Sequence, residues 1–341
     1  MSNLEAEPEE LVAGTSSAHA GVEILEPREV PLGGPRARPV RRTLPQKQRS
    51  LIGAWCFVDH YGPDPVEEGA GMDVPPHPHT GLQTVSWLFA GEIDHRDSVG
   101  TFAPIHPGQL NLMTAGNGIA HSEVAKTLPE AVEGSTWPGA SSASATDVLH
   151  GAQLWIALPD PDRHVAPFFE SYVPEPVVVE GATLRVFLGS LAGSTSSARV
   201  FTELLGAQLD VPAGTTVTLD VRPDFEHGVL LDTGEISVNG HPVPLSHLAY
   251  VAPGGDTITL TAGPTGATLL LIGGVPLGEQ IVMWWNFIGR SHEEIVQFRT
   301  DWQSDVIAGG NDNGRFGVVR GYDGRALPAP ELPAVRLKPR G

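Results

Sequence analysis

What most constrains this chain is the shortness of its apolar runs. Leu51–Asp59, Thr84–Phe89, Gln109–Thr114 and Leu149–Leu158 form a first set. Thr183–Leu188, Ala207–Val211, Thr215–Val221, His227–Leu231, Ile236–Val238, Thr257–Thr261 and Ala267–Ile272 form a second. Each is long enough for a strand and too short for a three-turn amphipathic helix. The 40 glycines and 31 prolines supply turns between them, as at Asp232–Gly234 and Asn239–Gly240. The proline-marked link Pro174–Pro176 separates the two sets. Two successive β units of similar size imply an all-β protein, a duplicated barrel or sandwich.

One helix is expected. Ser291 with Glu294 forms a capping box that satisfies free N–H groups of a first turn. Ile295, Phe298 and Trp302 then recur on one apolar face. That face predicts packing against the protein. The tail from Gly321 is Pro-rich and expected to be extended. Thr127–Asp147, biased to Ser, Ala and Gly, reads as a long mobile loop suited to a lid.

The net charge of −19 disfavours binding to phosphate backbones and anionic lipid. One segment runs the other way: Arg36, Arg38, Arg41, Arg42, Lys47 and Arg49 lie in a stretch without acids. It reads either as a docking arm for a protein partner or as a strand and loop paired with acidic groups elsewhere. No apolar run reaches the roughly 18 residues of a membrane span. The acidic start MSNLEAEPEE does not resemble a secretory signal. The one cysteine, Cys56, excludes an internal disulfide and sits in an apolar run, as a core residue would. A cytoplasmic location is expected.

The chemistry-bearing stretch starts at Gly71 and contains HPH. In a strand, residues i and i+2 share a face, so His77 and His79 present two imidazoles side by side. Downstream, His121 and Glu123 repeat the spacing. Two strands offering two ligands each could build a three-His, one-carboxylate site for a divalent metal ion, with Fe, Mn, Ni, Cu and Zn all compatible. The lack of thiolates argues against a closed structural zinc site. His60 and His95 read as structural hydrogen-bonding residues, with support of the site or its pocket as the alternative; His106 reads as a loop residue, Trp284 and Trp285 as core packing with a ligand groove as the alternative, and Arg96 and Asp97 as a turn.

Gly71 followed after five residues by HxH resembles the opening of a first cupin motif. More specifically, HPHTGLQTVSWLFAGEIDHRDSVG and TAGNGIAHSE are similar to the two signature stretches of the pirin family. LPQKQRSLIGAWCFVDHYGP, LHGAQLWIALP and the late NFIGRSHEEI extend the resemblance over most of the chain. It implies a bicupin, two face-to-face cupin β-barrels with a short C-terminal helix. The expected division is a disordered tail at 1–20, a metal-binding cupin domain at 21–170, a metal-free one at 171–290, and helix plus tail at 291–341.

By the same resemblance, His77, His79, His121 and Glu123 hold one divalent metal ion, with Fe(II) the leading identity. The second half carries only His227 as a counterpart to HxH, and its neighbour Glu226 would face the other way in a strand. Gln83 stands where pirins usually carry Glu. It shares strand parity with His77 and His79, so it is expected near the metal.

Two functions follow from the resemblance. One is a dioxygenase that opens flavonols such as quercetin with O₂ and releases carbon monoxide, with Glu123 as ligand and base. The other is an iron-binding, redox-responsive regulatory module that docks on a protein partner without catalysis.

Overall fold

The computed structural model describes residues 21–32, 38–66, 72–126 and 148–341. The expected tail 1–20, the loop Thr127–Asp147, Arg36 and Gly71 lie outside the described residues.

The first barrel is built from two antiparallel sheets. The larger runs, in spatial order, Phe168–Tyr172, Leu110–Thr114, Leu82–Ala90, Val148–Ala157, Trp55–Pro65, Arg38–Leu44 and Arg28–Leu32. The smaller runs Asp73–His79, Ile119–Ala125, Ile93–Asp97 and Phe102–Ile105. One end of the barrel is apolar, where Tyr61, Leu88 and Leu149 of the first sheet meet Val74, Ile93 and Ile105 of the second. The polar residues gather elsewhere in the interior.

Two pairs of expected strands merge in the second barrel. Glu226–Val238 is one strand, although Asp232–Gly234 reads as a turn. Its register slips on either side of Thr233–Gly234, and Gly234 has φ +79°. A glycine there bends the strand round the barrel corner instead of ending it. Thr257–Gly274 likewise pairs with Thr216–Asp220 through its first half and with Leu204–Val211 through its second.

Strand alternation makes the inter-barrel core. Val85 and Trp87 point away from the first barrel's interior to meet Phe187, Leu230 and Leu270 of the second. Trp87 stacks on Phe187 with ring centroids 4.5 Å apart and donates its indole N–H to Gln208. The strand Val22–Leu25, drawn above with the first domain, pairs instead with Leu248–Val251 of the second barrel. Residue 170 falls within Phe168–Tyr172, a strand of the first barrel. Local composition cannot reveal either long-range pairing.

After the second barrel the chain returns to the first. The hairpin Val282–Trp284 with Phe287–Gly289 leads into the helix His292–Trp302. Ser291 caps the helix by accepting the Glu294 N–H, and Ile295, Phe298 and Trp302 are buried as expected. The extended tail packs on this helix through Ala329 and Leu337. Leu327 N–H reaches the Pro76 carbonyl, beside His77. Trp284 and Trp285 are buried in the same cluster. No helix among the described residues is long and apolar enough to cross a membrane.

Candidate metal centre

The strands Asp73–His79 and Ile119–Ala125 are antiparallel neighbours, with His121 directly opposite His77. The i, i+2 spacing on each strand therefore lands on one face of one sheet. His77, His79, His121 and Glu123 are all fully buried. Ligand atoms of His77, His79 and His121 lie within 4.8 Å of one another. Glu123 falls in a second group, with His121 and His95. The register slips between His121 and Glu123, and this bulge sets the carboxylate to one side of the three-histidine cluster.

The hydrogen bonds fix which nitrogen of each ring carries a proton. His77 Nδ1 lies 2.9 Å from the Pro75 carbonyl and His79 Nδ1 lies 3.1 Å from the Asn286 carbonyl. A carbonyl only accepts, so both Nδ1 atoms are protonated and both Nε2 atoms carry a lone pair. His95 Nε2 faces Asp97 Oδ2 at 3.3 Å and donates to it. His95 Nδ1 then accepts from His121 Nδ1 at 3.4 Å, which leaves His121 Nε2 with its lone pair.

His121 Nε2 and His79 Nε2 stand 3.1 Å apart. His77 Nε2 is buried without a hydrogen-bonding partner. Three lone pairs converge with no proton between them, and a cation is what resolves that arrangement. Burial also holds the imidazoles of His77, His79 and His121 well below their ordinary 6.5, so they are neutral at pH 7. The donor set fits a divalent metal ion.

Glu123 Oε1 lies 3.1 Å from Ser86 Oγ, and Ser86 Oγ lies 2.9 Å from Gln153 Oε1. One hydroxyl proton cannot serve both oxygens. Gln153 Nε2 meanwhile is buried without a partner. Rotating the Gln153 amide by half a turn resolves both problems. Gln153 then donates to Ser86, and Ser86 donates to Glu123.

Some expected placements change. Gln83 is not on the metal side. The turn at Thr80–Gly81 breaks the parity counted from His79, and Gln83 lies on the strand Leu82–Ala90 with its side chain on the inter-barrel face. Its amide donates to Thr114 Oγ1 and to the Arg199 carbonyl. Of the two readings of His95, the hydrogen bonds favour support of the site, because His95 sets the tautomer of His121. His106 pairs with Glu92 at 3.3 Å. Asp97 accepts the N–H groups of Val99 and Thr101, the turn role expected of it. Cys56 is a core thiol whose pKa burial pushes up. Ser86 and Gln153 were missed because cross-strand neighbours carry no local sequence signal.

Profile comparison matches the family described as Pirin over residues 37–156 and the Pirin C-terminal cupin domain over residues 206–307. A Pseudomonas aeruginosa relative, provisionally named a quercetin 2,3-dioxygenase, is 42% identical over 295 residues, covering 86% of each chain. A pirin-like protein of Caulobacter vibrioides is 33% identical over 86% of this chain and 94% of its own. The chain belongs to the pirin family. Among solved structures, quercetin 2,3-dioxygenase from Acinetobacter baumannii aligns with a TM-score of 0.80 at 35% identity, over 93% of this chain and 97% of that one. The two barrels of this pirin are thus its two cupin domains. Among the described residues, no group of three metal-ligating side chains lies wholly within the second.

Proposed function

We propose that this pirin is a metal-dependent dioxygenase acting on small aromatic substrates, with flavonols such as quercetin as the class to test first. One observation carries the reading: three buried imidazoles, each with its Nε2 lone pair unblocked, converge inside a barrel. Solved and curated relatives named for quercetin 2,3-dioxygenase support the substrate class.

His77, His79 and His121 would hold the ion, with Glu123 completing the set from its neighbouring position. Neutral nitrogen and carboxylate donors suit iron, and Fe(II) is the proposed occupant. When bound, the metal supplies open coordination positions for substrate and O₂. The chain supplies the rest. Glu123 takes the proton of the substrate hydroxyl on a carboxylate oxygen. The Ser86 hydroxyl, donating to Oε1, fixes the direction of that carboxylate. Asp97 and His95 keep His121 in the tautomer that presents Nε2.

The alternative, a regulatory module without catalysis, leaned on the basic segment as a docking arm. Arg42 is buried in a two-bond pair with Asp59, at 2.7 and 2.8 Å. Arg49 lies over the Tyr250 ring and pairs with Glu23. Arg41 binds the Gly62 carbonyl. These three side chains are thus engaged within the chain, which removes them from a free docking arm.

The test is oxygen uptake by iron-loaded protein across a panel of flavonols and catechols. Uptake that disappears in His79→Ala is the expected result. No uptake with any member of the panel would return the regulatory reading to first place.

A further inference from the structure

Among the described residues no metal-ligating group lies wholly within the second barrel, yet its His227 is placed like a functional residue. A cleft of about 540 Å³ opens beside it, within the size range of small-molecule sites. Its walls come from the hairpin at Ser190–Thr195, the segment from Val200 to Leu205, and the turn from Asp220 to Phe225. Exposed residues such as Gly193 and Thr195 edge it, so solvent reaches it.

Its interior is mixed in character. Leu191, Leu204, Leu205 and Phe225 give an apolar wall of buried side chains. His227, 2% exposed, lines the same cleft, and its Nε2 is buried without a hydrogen-bonding partner. Thr202 also lines it, and its Oγ1 is likewise buried and unpartnered. Both side chains line the cleft, so a ligand whose hydroxyl reaches past the rim to them supplies the partner that each lacks. Gly273 seats the imidazole: a Cβ there would stand 2.9 Å from His227 Cδ2. Burial depresses the His227 pKa to about 4, so the ring is neutral at pH 7 and exchanges a hydrogen bond without a charge.

The rim selects against anions. Arg222 lies over the Phe225 ring and is held by Glu203 at 2.8 Å and Asp224 at 2.5 Å. Its charge is thus matched, and Asp220 adds a further carboxylate to the lining. An uncharged aromatic ring bearing a hydroxyl satisfies every feature. The ring covers the apolar wall, and a phenolic O–H both donates and accepts.

We infer that this cleft is a second small-molecule site, separate from the metal-centre histidines, and that it binds a neutral phenol through His227 and Thr202. The claim stands independently of any dioxygenase activity.

The test is calorimetric titration of the full-length protein with 2-naphthol at pH 7, alongside naphthalene and 2-naphthoate. Saturable 2-naphthol binding is expected, at least about tenfold tighter than either control. His227→Phe should weaken it about tenfold or more, and Thr202→Val, which keeps shape, should weaken it in the same direction. Stripping the protein of metal, which removes hydroxyl binding at the metal centre, should leave the cleft binding unchanged. Because the Thr202 variant alters no ring packing, it keeps the claim testable if His227→Phe fails to fold. Absence of saturable binding overturns the proposal. So does binding that is lost with the metal, or binding that survives both cleft variants. Equal binding of 2-naphthoate would overturn the assignment to neutral ligands.

Discussion

A two-residue spacing within one strand keeps side chains on one face, which sets His77 beside His79, while the turn at Thr80–Gly81 resets the parity and sends Gln83 to the other face. Glu123 shares its strand with His121, yet a bulge between them moves the carboxylate toward His95. Ser86 and Gln153 depend on cross-strand register, which no local pattern encodes. Two predictions belong at this scale. Glu123→Gln keeps the side chain's size and an oxygen donor but removes the charge and the base. Metal affinity, read by competition with a chromogenic chelator, should fall, and turnover should fall further. Full occupancy with full turnover would eliminate Glu123 as both ligand and base. Ser86→Ala removes the donor that aims Glu123. Loss of such an outer hydrogen bond typically costs about 10- to 100-fold in metal affinity or activity. The same competition assay should show a loss at the lower end, with the folded state unchanged by circular dichroism.

Elements were most legible where their signals are local. The helix His292–Trp302 has its cap and its apolar face written within twelve residues, and both held. Strand ends were less legible, because Gly234 and the Gly263–Gly266 stretch look like turns and act as bends. Only the closing of the barrel decides between those outcomes. The C-terminal helix has a consequence for the metal centre. It packs on the hairpin that carries Asn286, whose carbonyl fixes His79. Trp302→Ala should therefore do two things. Emptying a fully buried indole site should cost about 3–5 kcal/mol, read by denaturant unfolding. It should also weaken metal retention, because the His79 anchor loosens with the hairpin. Ser291→Ala, which removes only the cap, should cost about 1 kcal/mol and leave metal affinity near wild type. Equal metal loss in both variants would show that helix stability alone, not hairpin seating, governs the site.

At the scale of the molecule, two β units were visible in the sequence, but what joins them was not. The join includes a buried polar cluster whose members lie far apart in the chain. His60 Nε2 and His150 Nε2 each lie 2.6 Å from Asp232 Oδ1, the two histidines from the first barrel and the carboxylate from the second. Arg41 approaches His60 Nδ1 at 3.4 Å, and a guanidinium only donates. His60 Nδ1 therefore accepts, and its Nε2–H donates to Asp232 across the interface. The pH dependence follows in sign. Burial lowers the His60 pKa below 6.5, outweighing the pull of Asp232 in the other direction. Burial likewise lowers His77, His79, His121 and His227. Below pH 6.5 the unfolded chain takes up protons at these positions and the folded chain resists them, so stability falls as pH drops through that window. Asp232 is lowered from its ordinary carboxylate value, since its bonds to His150 and His60 outweigh desolvation, and it adds a further loss at more acidic pH. The metal-free protein should melt at least about 5 °C lower at pH 5.5 than at pH 7.5 in differential scanning calorimetry. Asp232→Asn separates the interface from the metal ligands. It keeps the shape but replaces a charged acceptor with a neutral one, and weakening hydrogen bonds to a buried charged group costs about 1.5–3 kcal/mol. The variant should therefore be destabilised already at pH 7.5, while its metal affinity stays near wild type because no ligand has changed. If Asp232→Asn melted with wild type at pH 7.5, the cluster would not be holding the barrels together, and the apolar core around Trp87 and Phe187 would carry the interface by itself.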